Sequence, residues 1–108
     1  MPIPTFQKLI MPLLAFASDG NEHPLGAAVA RLADQFGLTE AERNELLASG
    51  QTIIYNRVAW ARTYMGKSGL LETARRGIFR ITDVGVGVLS TPFHNYGDVF
   101  GGAVTQQR

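Results

Sequence analysis

At Ser68-Gly69 the hydrophobic pattern of this chain changes period. Upstream, apolar residues recur at helical spacing through three long stretches. Downstream, Leu70-Leu71-Glu72-Thr73 and Ile78-Phe79-Arg80-Ile81 read as short strands joined by Ala74-Arg75-Arg76-Gly77, a β-hairpin with a basic tip. Helices first and a hairpin afterwards define an α+β, mainly helical plan.

The first helix is expected over residues 5–17, where Phe6, Leu9, Ile10, Leu13, Leu14 and Ala17 share a face. Pro12 within it predicts a kink, or a helix that begins or bends there. After the turn chemistry of Ser18-Asp19-Gly20-Asn21, Glu22-His23-Pro24 leaves room for only a very short strand. Leu25, Ala28, Val29, Leu32, Ala33 and Phe36 mark a second helix, stopped by Gly37. Thr39-Glu40-Ala41-Glu42 has the form of a capping box and opens a short helix expected to run through residue 47. A third long helix is predicted over residues 52–67. At about 100° per residue, Ile54, Val58, Ala61 and Met65 make its core stripe, and Thr52, Asn56, Ala59, Thr63 and Lys67 lie opposite. Arg57, Trp60 and Tyr64 fall between the opposite face and one flank, with Arg62 and Tyr55 on the other flank. Thr82-Asp83 is placed to cap a last short helix through residue 89, a poor one by propensity because of Gly85 and Gly87. The expected organisation is one domain over residues 1–90 and a tail or linker over 91–108, where Phe93, Tyr96, Val99 and Phe100 are scattered among glycines and polar residues.

A length of 108 residues suits a single domain, and 45% hydrophobic residues is ordinary for a globular chain. No run approaches the roughly 18–20 apolar residues that cross a bilayer, so no membrane partner is expected. Met1-Pro2-Ile3-Pro4 lacks the basic and apolar regions of a signal peptide. With no cysteine there is no disulfide, thiol nucleophile or Cys-type zinc site, and the expected setting is cytoplasmic.

The formal charge of +1 conceals a division along the chain. Asp19, Glu22, Asp34, Glu40, Glu42 and Glu45 oppose only Arg31 and Arg43 in the segment 19–45. In the segment 57–80, Arg57, Arg62, Lys67, Arg75, Arg76 and Arg80 oppose only Glu72. Such asymmetry implies an anionic partner on one face, nucleic acid rather than a metabolite. The order helix, short strand, helix, turn, helix, basic hairpin is that of a winged helix-turn-helix, here with an extra short helix before the recognition helix. In that arrangement helix 52–67 enters the major groove of double-stranded DNA, and the wing at 74–77 reaches backbone or minor groove.

Several stretches resemble one family: Pro2-Ile3-Pro4-Thr5-Phe6-Gln7, Gly37-Leu38-Thr39-Glu40, Gly69-Leu70-Leu71-Glu72 and Arg76-Gly77-Ile78-Phe79-Arg80-Ile81-Thr82. The most distinctive is Tyr55-Asn56-Arg57-Val58-Ala59-Trp60-Ala61-Arg62-Thr63-Tyr64. Over residues 2–90 the chain is similar to the N-terminal domain of Mrr-type restriction endonucleases, bacterial enzymes that cut modified, methylated DNA. The resemblance implies a DNA-binding winged helix whose partners are duplex DNA, methylated or not, and a C-terminal nuclease domain; a homodimer is the other partner expected, from the residues that could form an apolar interface. In that family a separate domain with an Asp…(Asp/Glu)-x-Lys core holds the metal and does the cutting. Neither Lys8 nor Lys67 has an acid two residues earlier, so no catalytic site and no cofactor are expected in this chain.

Individual residues carry two readings each. Asn56 can pair bidentately with adenine and the Thr63 methyl can meet a thymine methyl, while Lys67 suits a phosphate. With Thr52, they otherwise form a solvated polar face with Lys67 at the helix C-terminus. Arg57 borders the outward face and is the better contact candidate. Arg62 is expected to lay its stem on the core and pair its head with an acid. Trp60 and Tyr64 make either a stacking platform for an unstacked or modified base or packing under a neighbouring loop or the N-terminal segment. Arg75 and Arg76 are the strongest candidates, since a tight turn cannot bury two guanidinium groups, and Arg80 is expected to bridge across the sheet. His23 and His94 have no ligand-spaced neighbours, Gly85-Val86-Gly87 is not a dinucleotide fingerprint, and Ser49, Ser68 and Thr82 lack a base nearby. The alternative function is a protein-interaction or dimerisation module using Trp60, Tyr64 and the aromatic tail.

Overall fold

The computed structural model describes residues 3–90. Its elements are α1 (Phe6–Phe16), a 3-10 turn (Ala17–Asp19), β1 (His23–Pro24), α2 (Leu25–Gln35), α3 (Glu40–Asn44), α4 (Ile53–Lys67), β2 (Leu71–Arg75), β3 (Ile78–Ile81) and α5 (Asp83–Leu89). The architecture is α+β and mainly helical, with a three-stranded antiparallel sheet in the order β1-β3-β2. The expected tail over 91–108, including His94, lies outside the described residues.

The helices form where apolar spacing meets a cap. Thr39 and Glu42 close a reciprocal capping box on α3, and the side chains of Thr52 and Thr82 cap α4 and α5. In α1, Leu9, Ile10, Leu13 and Leu14 are fully buried, and the helix starts six residues before Pro12 and continues past it. Ala28, Leu32 and Ala33 of α2 and the stripe Ile54, Val58, Ala61 and Met65 of α4 complete the helical core. The chief packing pair is α1 on α4, with α2 against both. Among the described residues, no helix is long and apolar enough to cross a membrane.

Two boundaries differ from expectation. Helix α3 ends at Asn44 instead of residue 47, because Glu45 is extended at ψ 132° and Leu46 forms an antiparallel bridge with Thr52. There the Leu47 N–H donates to the Gln51 carbonyl at 2.8 Å, and left-handed Gly50 turns the chain, so the backbone groups are satisfied without another helical turn. The hairpin is also tighter than expected. Its first strand runs through Arg75 after a bulge at Ala74, leaving Arg76-Gly77 as the turn, with Gly77 at φ 76°.

The sheet packs by one face only. Leu71 faces Ile81 and Thr73 faces Phe79 in register, and Leu71, Phe79 and Ile81 are buried against the helices. Glu72 faces Arg80 on the solvent side. Short as it is, β1 supplies the third strand through His23 opposite Phe79 and Pro24 opposite Ile78.

The glycines that argued against α5 separate into two kinds. A Cβ on Gly85 would lie 2.4 Å from the Leu70 carbonyl oxygen and 2.6 Å from Ile81 Cγ1, so the bare backbone lets α5 close onto the sheet. A Cβ on Gly87 would meet nothing within 4 Å. Gly85→Ala is therefore expected to destabilise the fold by about 1–3 kcal/mol through overpacking. Gly87→Ala should stabilise it by about 0.5–1 kcal/mol. Thermal unfolding of the pair checks the signs.

The α3 cap supplies a pH prediction. The Thr39 backbone N–H donates to Glu42 Oε1 at 2.8 Å, and this bond holds the Glu42 carboxyl below its ordinary value. A depressed folded-state value means stabilisation that is present above the unfolded value and is lost as pH falls through the folded one. Glu42→Gln keeps an acceptor but cannot titrate. Its stability difference from wild type should shrink below about pH 4 in unfolding curves taken as a pH series, and parallel profiles would contradict this.

Candidate nucleic-acid interface

The burial of Ile54, Val58, Ala61 and Met65 fixes how α4 is rotated, and so turns Thr52, Asn56, Thr63 and Lys67 away from the core. Three of these four already hold local bonds. Thr52 Oγ1 accepts from the Tyr55 N–H at 3.3 Å as the helix cap. Asn56 Nδ2 donates to Gln51 Oε1 at 3.0 Å, and Thr63 Oγ1 donates to the Ala59 carbonyl at 3.0 Å. Lys67 is exposed at the helix end, with no ion pair among the described residues.

On one flank α4 is clamped by the N-terminal segment. The Arg57 guanidinium donates to the Ile3 carbonyl at 2.7 Å and the Pro4 carbonyl at 3.1 Å. The Tyr64 ring stacks on Phe6 with centroids 4.9 Å apart. Trp60 lies between these two on the helix surface, 51% exposed, with no ring contact among the described residues. The i, i+4 aromatic pair therefore divides: Tyr64 stacks on Phe6 at the start of α1, and Trp60 has no ring partner among the described residues.

The other flank faces the hairpin across a groove of about 420 Å³, in which Arg62, Thr63, Gly66 and Lys67 of α4 oppose Glu72 and Thr73 of β2. Arg62 was expected to pair with an acid, yet no carboxylate lies within ion-pair distance of it among the described residues. Arg62 and Thr73 are thus residues of this surface that sequence reasoning did not select. A helical wheel puts Arg62 on a flank, but only the packed hairpin makes that flank one wall of a groove.

The hairpin's charges are organised by a residue distant in sequence. Glu22, just before β1, pairs with Arg75 at 3.0 Å and approaches Arg80 at 3.7 Å. Arg80 also bonds Glu72, its partner in register, and that bond with the neighbouring carboxylates raises the Arg80 value above that of an ordinary arginine. The expected bridge across the sheet is present and extends to Arg75. Arg76, at the turn, is exposed and has no such partner among the described residues. Of the basic residues in 57–80, Arg57 is spent on carbonyls and Arg75 and Arg80 on carboxylates. Among the described residues Arg62, Lys67 and Arg76 have no acid within ion-pair distance, and they occupy α4 and the adjoining hairpin. His23 bonds Asp19 at 2.9 Å, and the described residues hold no cluster of three potential metal ligands.

A family model described as the Mrr N-terminal domain matches residues 6–91 of the chain. The chain belongs to this family. It is also 33% identical over 89 residues to a protein of Escherichia coli (strain K12) named Type IV methyl-directed restriction enzyme EcoKMrr, an alignment covering 79% of this chain and 28% of that one. The chain thus spans less than a third of the length of the curated relative it matches. No solved structure matches it significantly.

In this Mrr N-terminal domain the motif over 55–64 is one helix surface shared among four tasks. Val58 and Ala61 pack the core, Arg57 and Tyr64 hold the N-terminal segment, Asn56 and Thr63 face outward, and Arg62 lines the groove. Arg57→Ala removes a charged donor from two carbonyls and should cost about 1.5–3 kcal/mol of stability. Hydrogen exchange at the start of α1 should speed up with it. Unchanged exchange there would show that the clamp does not hold the segment.

Proposed function

We propose that this domain is a winged helix-turn-helix that binds double-stranded DNA and serves as the target-recognition part of a restriction endonuclease acting on methylated DNA. In this reading α4 enters the major groove, Asn56 and Thr63 meet base edges, and Thr52, Trp60 and Lys67 lie along the same contact. The hairpin turn with Arg76 approaches backbone or minor groove, and Arg75 joins it by exchanging Glu22 for phosphate. Arg57 acts from behind, by holding the N-terminal segment against the reading helix. The observation that carries the reading is the placement of Arg62, Lys67 and Arg76. Three cations without acid partners among the described residues flank the outward face of α4, where a polyanion gains most. The E. coli relative's name supports the methylated target, and cutting belongs to a further domain of such an enzyme.

The test is fluorescence anisotropy on duplexes with unmodified, adenine-methylated and cytosine-methylated sites. Binding should be measurable at low salt and fall steeply between about 50 and 200 mM salt. Arg76→Glu should weaken binding to every duplex alike. Asn56→Ala should instead relax discrimination between sites by about 1–3 kcal/mol. No binding to any duplex at low salt would overturn the reading. A second reading, self-association, rests on the half-exposed Trp60. A dimer that Trp60→Ala dissociates, together with absent DNA binding, would favour it.

A further inference from the structure

Among the described residues nothing requires position 66 to be glycine. It is helical, the residue before the last of α4, and glycine weakens a helix relative to alanine by its backbone entropy. Gly85 excludes a side chain because Leu70 and Ile81 stand in the way, and Gly69 needs its left-handed φ of 80° to end α4. Neither reason applies to Gly66, whose added Cβ would meet nothing within 4 Å and whose φ is not in the left-handed region. Gly26 and Gly87 are equally open, but only Gly66 lines the groove between α4 and β2, with Arg62 and Lys67 beside it. Opposite them, the exposed Thr73 has no hydrogen-bond partner for its hydroxyl among the described residues. Glu72, the one acid lining the groove, is held by Arg80.

We infer that this groove seats the sugar-phosphate strand of duplex DNA, with Gly66 kept bare so that a backbone phosphate comes close to α4 between Arg62 and Lys67. The inference rests on the DNA-binding reading and assigns it a second strip of surface, which shares Thr63 with the base-reading face and extends from there to β2. The guanidinium of Arg62 and the ammonium of Lys67 donate charge-assisted bonds to phosphate oxygens, and the Thr73 hydroxyl donates from the opposite wall. A methyl group on Gly66 would stand where the strand passes. The occupant is polyanionic because the groove offers two cations without acid partners among the described residues, and extended because the groove runs from the end of α4 along β2. Contacts of this kind position the duplex and carry no sequence preference.

The consequence is unusual for a single substitution, since stability and binding should move in opposite directions. In the full 108-residue chain, Gly66→Ala should raise the Tm by about 2–5 °C, as expected from helix propensity. It should also weaken duplex binding several-fold, on methylated and unmethylated sites equally. Gly87→Ala should raise the Tm similarly and leave binding unchanged. Arg62→Gln should lower the slope of log affinity against log salt by about one, the mark of a lost phosphate contact. If wild type binds duplex DNA but Gly66→Ala binds equally well, or Arg62→Gln leaves the salt slope intact, the groove is not the seat and the DNA-binding reading survives. If wild type binds no duplex, both fall together.

Discussion

Everything positioned by this fold depends on how α4 lies against α1. Ile54, Val58, Ala61 and Met65 are buried with Leu9, Ile10, Leu13 and Leu14, and that contact sets the rotation of α4 about its axis. An amphipathic helix cannot turn without exchanging buried apolar surface for polar surface, at about 25 cal/mol for each Å² of apolar area. Once the stripe is docked, Asn56 and Thr63 have to face outward, Arg57 and Tyr64 have to meet the N-terminal segment, and Arg62 has to face the hairpin. The functional surface is the remainder left by the core.

The hairpin is placed by the same contact, one step later. Leu70 and Leu71 follow α4 after Ser68-Gly69, Phe79 is buried on the inner face of the sheet, and α5 returns over the junction through bare Gly85. The groove between α4 and β2 is therefore framed by elements tied to the core on both sides. Binding there requires no folding step at the walls, which limits its entropic cost. Electrostatics then sort the cations. Glu22 and Glu72 hold Arg75 and Arg80 into a chain across β2 and β3, while Arg62, Lys67 and Arg76 keep no acid partner among the described residues.

Much of the helical architecture was legible in the sequence because its signals are local. The four core residues of α4, the capping box at Thr39 and Glu42, and the brevity of the strand at His23-Pro24 all follow from spacing and composition within one element. What the sequence left open was set by contacts between elements. Whether α3 continued past Asn44 depended on a bridge from Leu46 to Thr52, and the partner of Arg75 came from Glu22, 53 residues away. The surface itself was half legible. Helical spacing separated Asn56, Thr63 and Lys67 from the core, but could not place the hairpin, so Arg62 read as a stem on the core. Trp60 and Tyr64, alike by spacing, were divided only by the position of Phe6. The family resemblance read from the motif over 55–64 agrees with the match over residues 6–91.

In the proposed function the outward face of α4 and the adjoining wall of the hairpin form one DNA-contacting surface. The most direct measurement is amide chemical-shift mapping of the isotope-labelled chain on addition of a short duplex. Shifts should concentrate at Asn56, Trp60, Arg62, Thr63, Gly66 and Lys67 and over residues 73–77, with α2 and α3 unaffected. Shifts centred on α3 and the Leu46-Leu47 loop, with α4 and the hairpin silent, would contradict it.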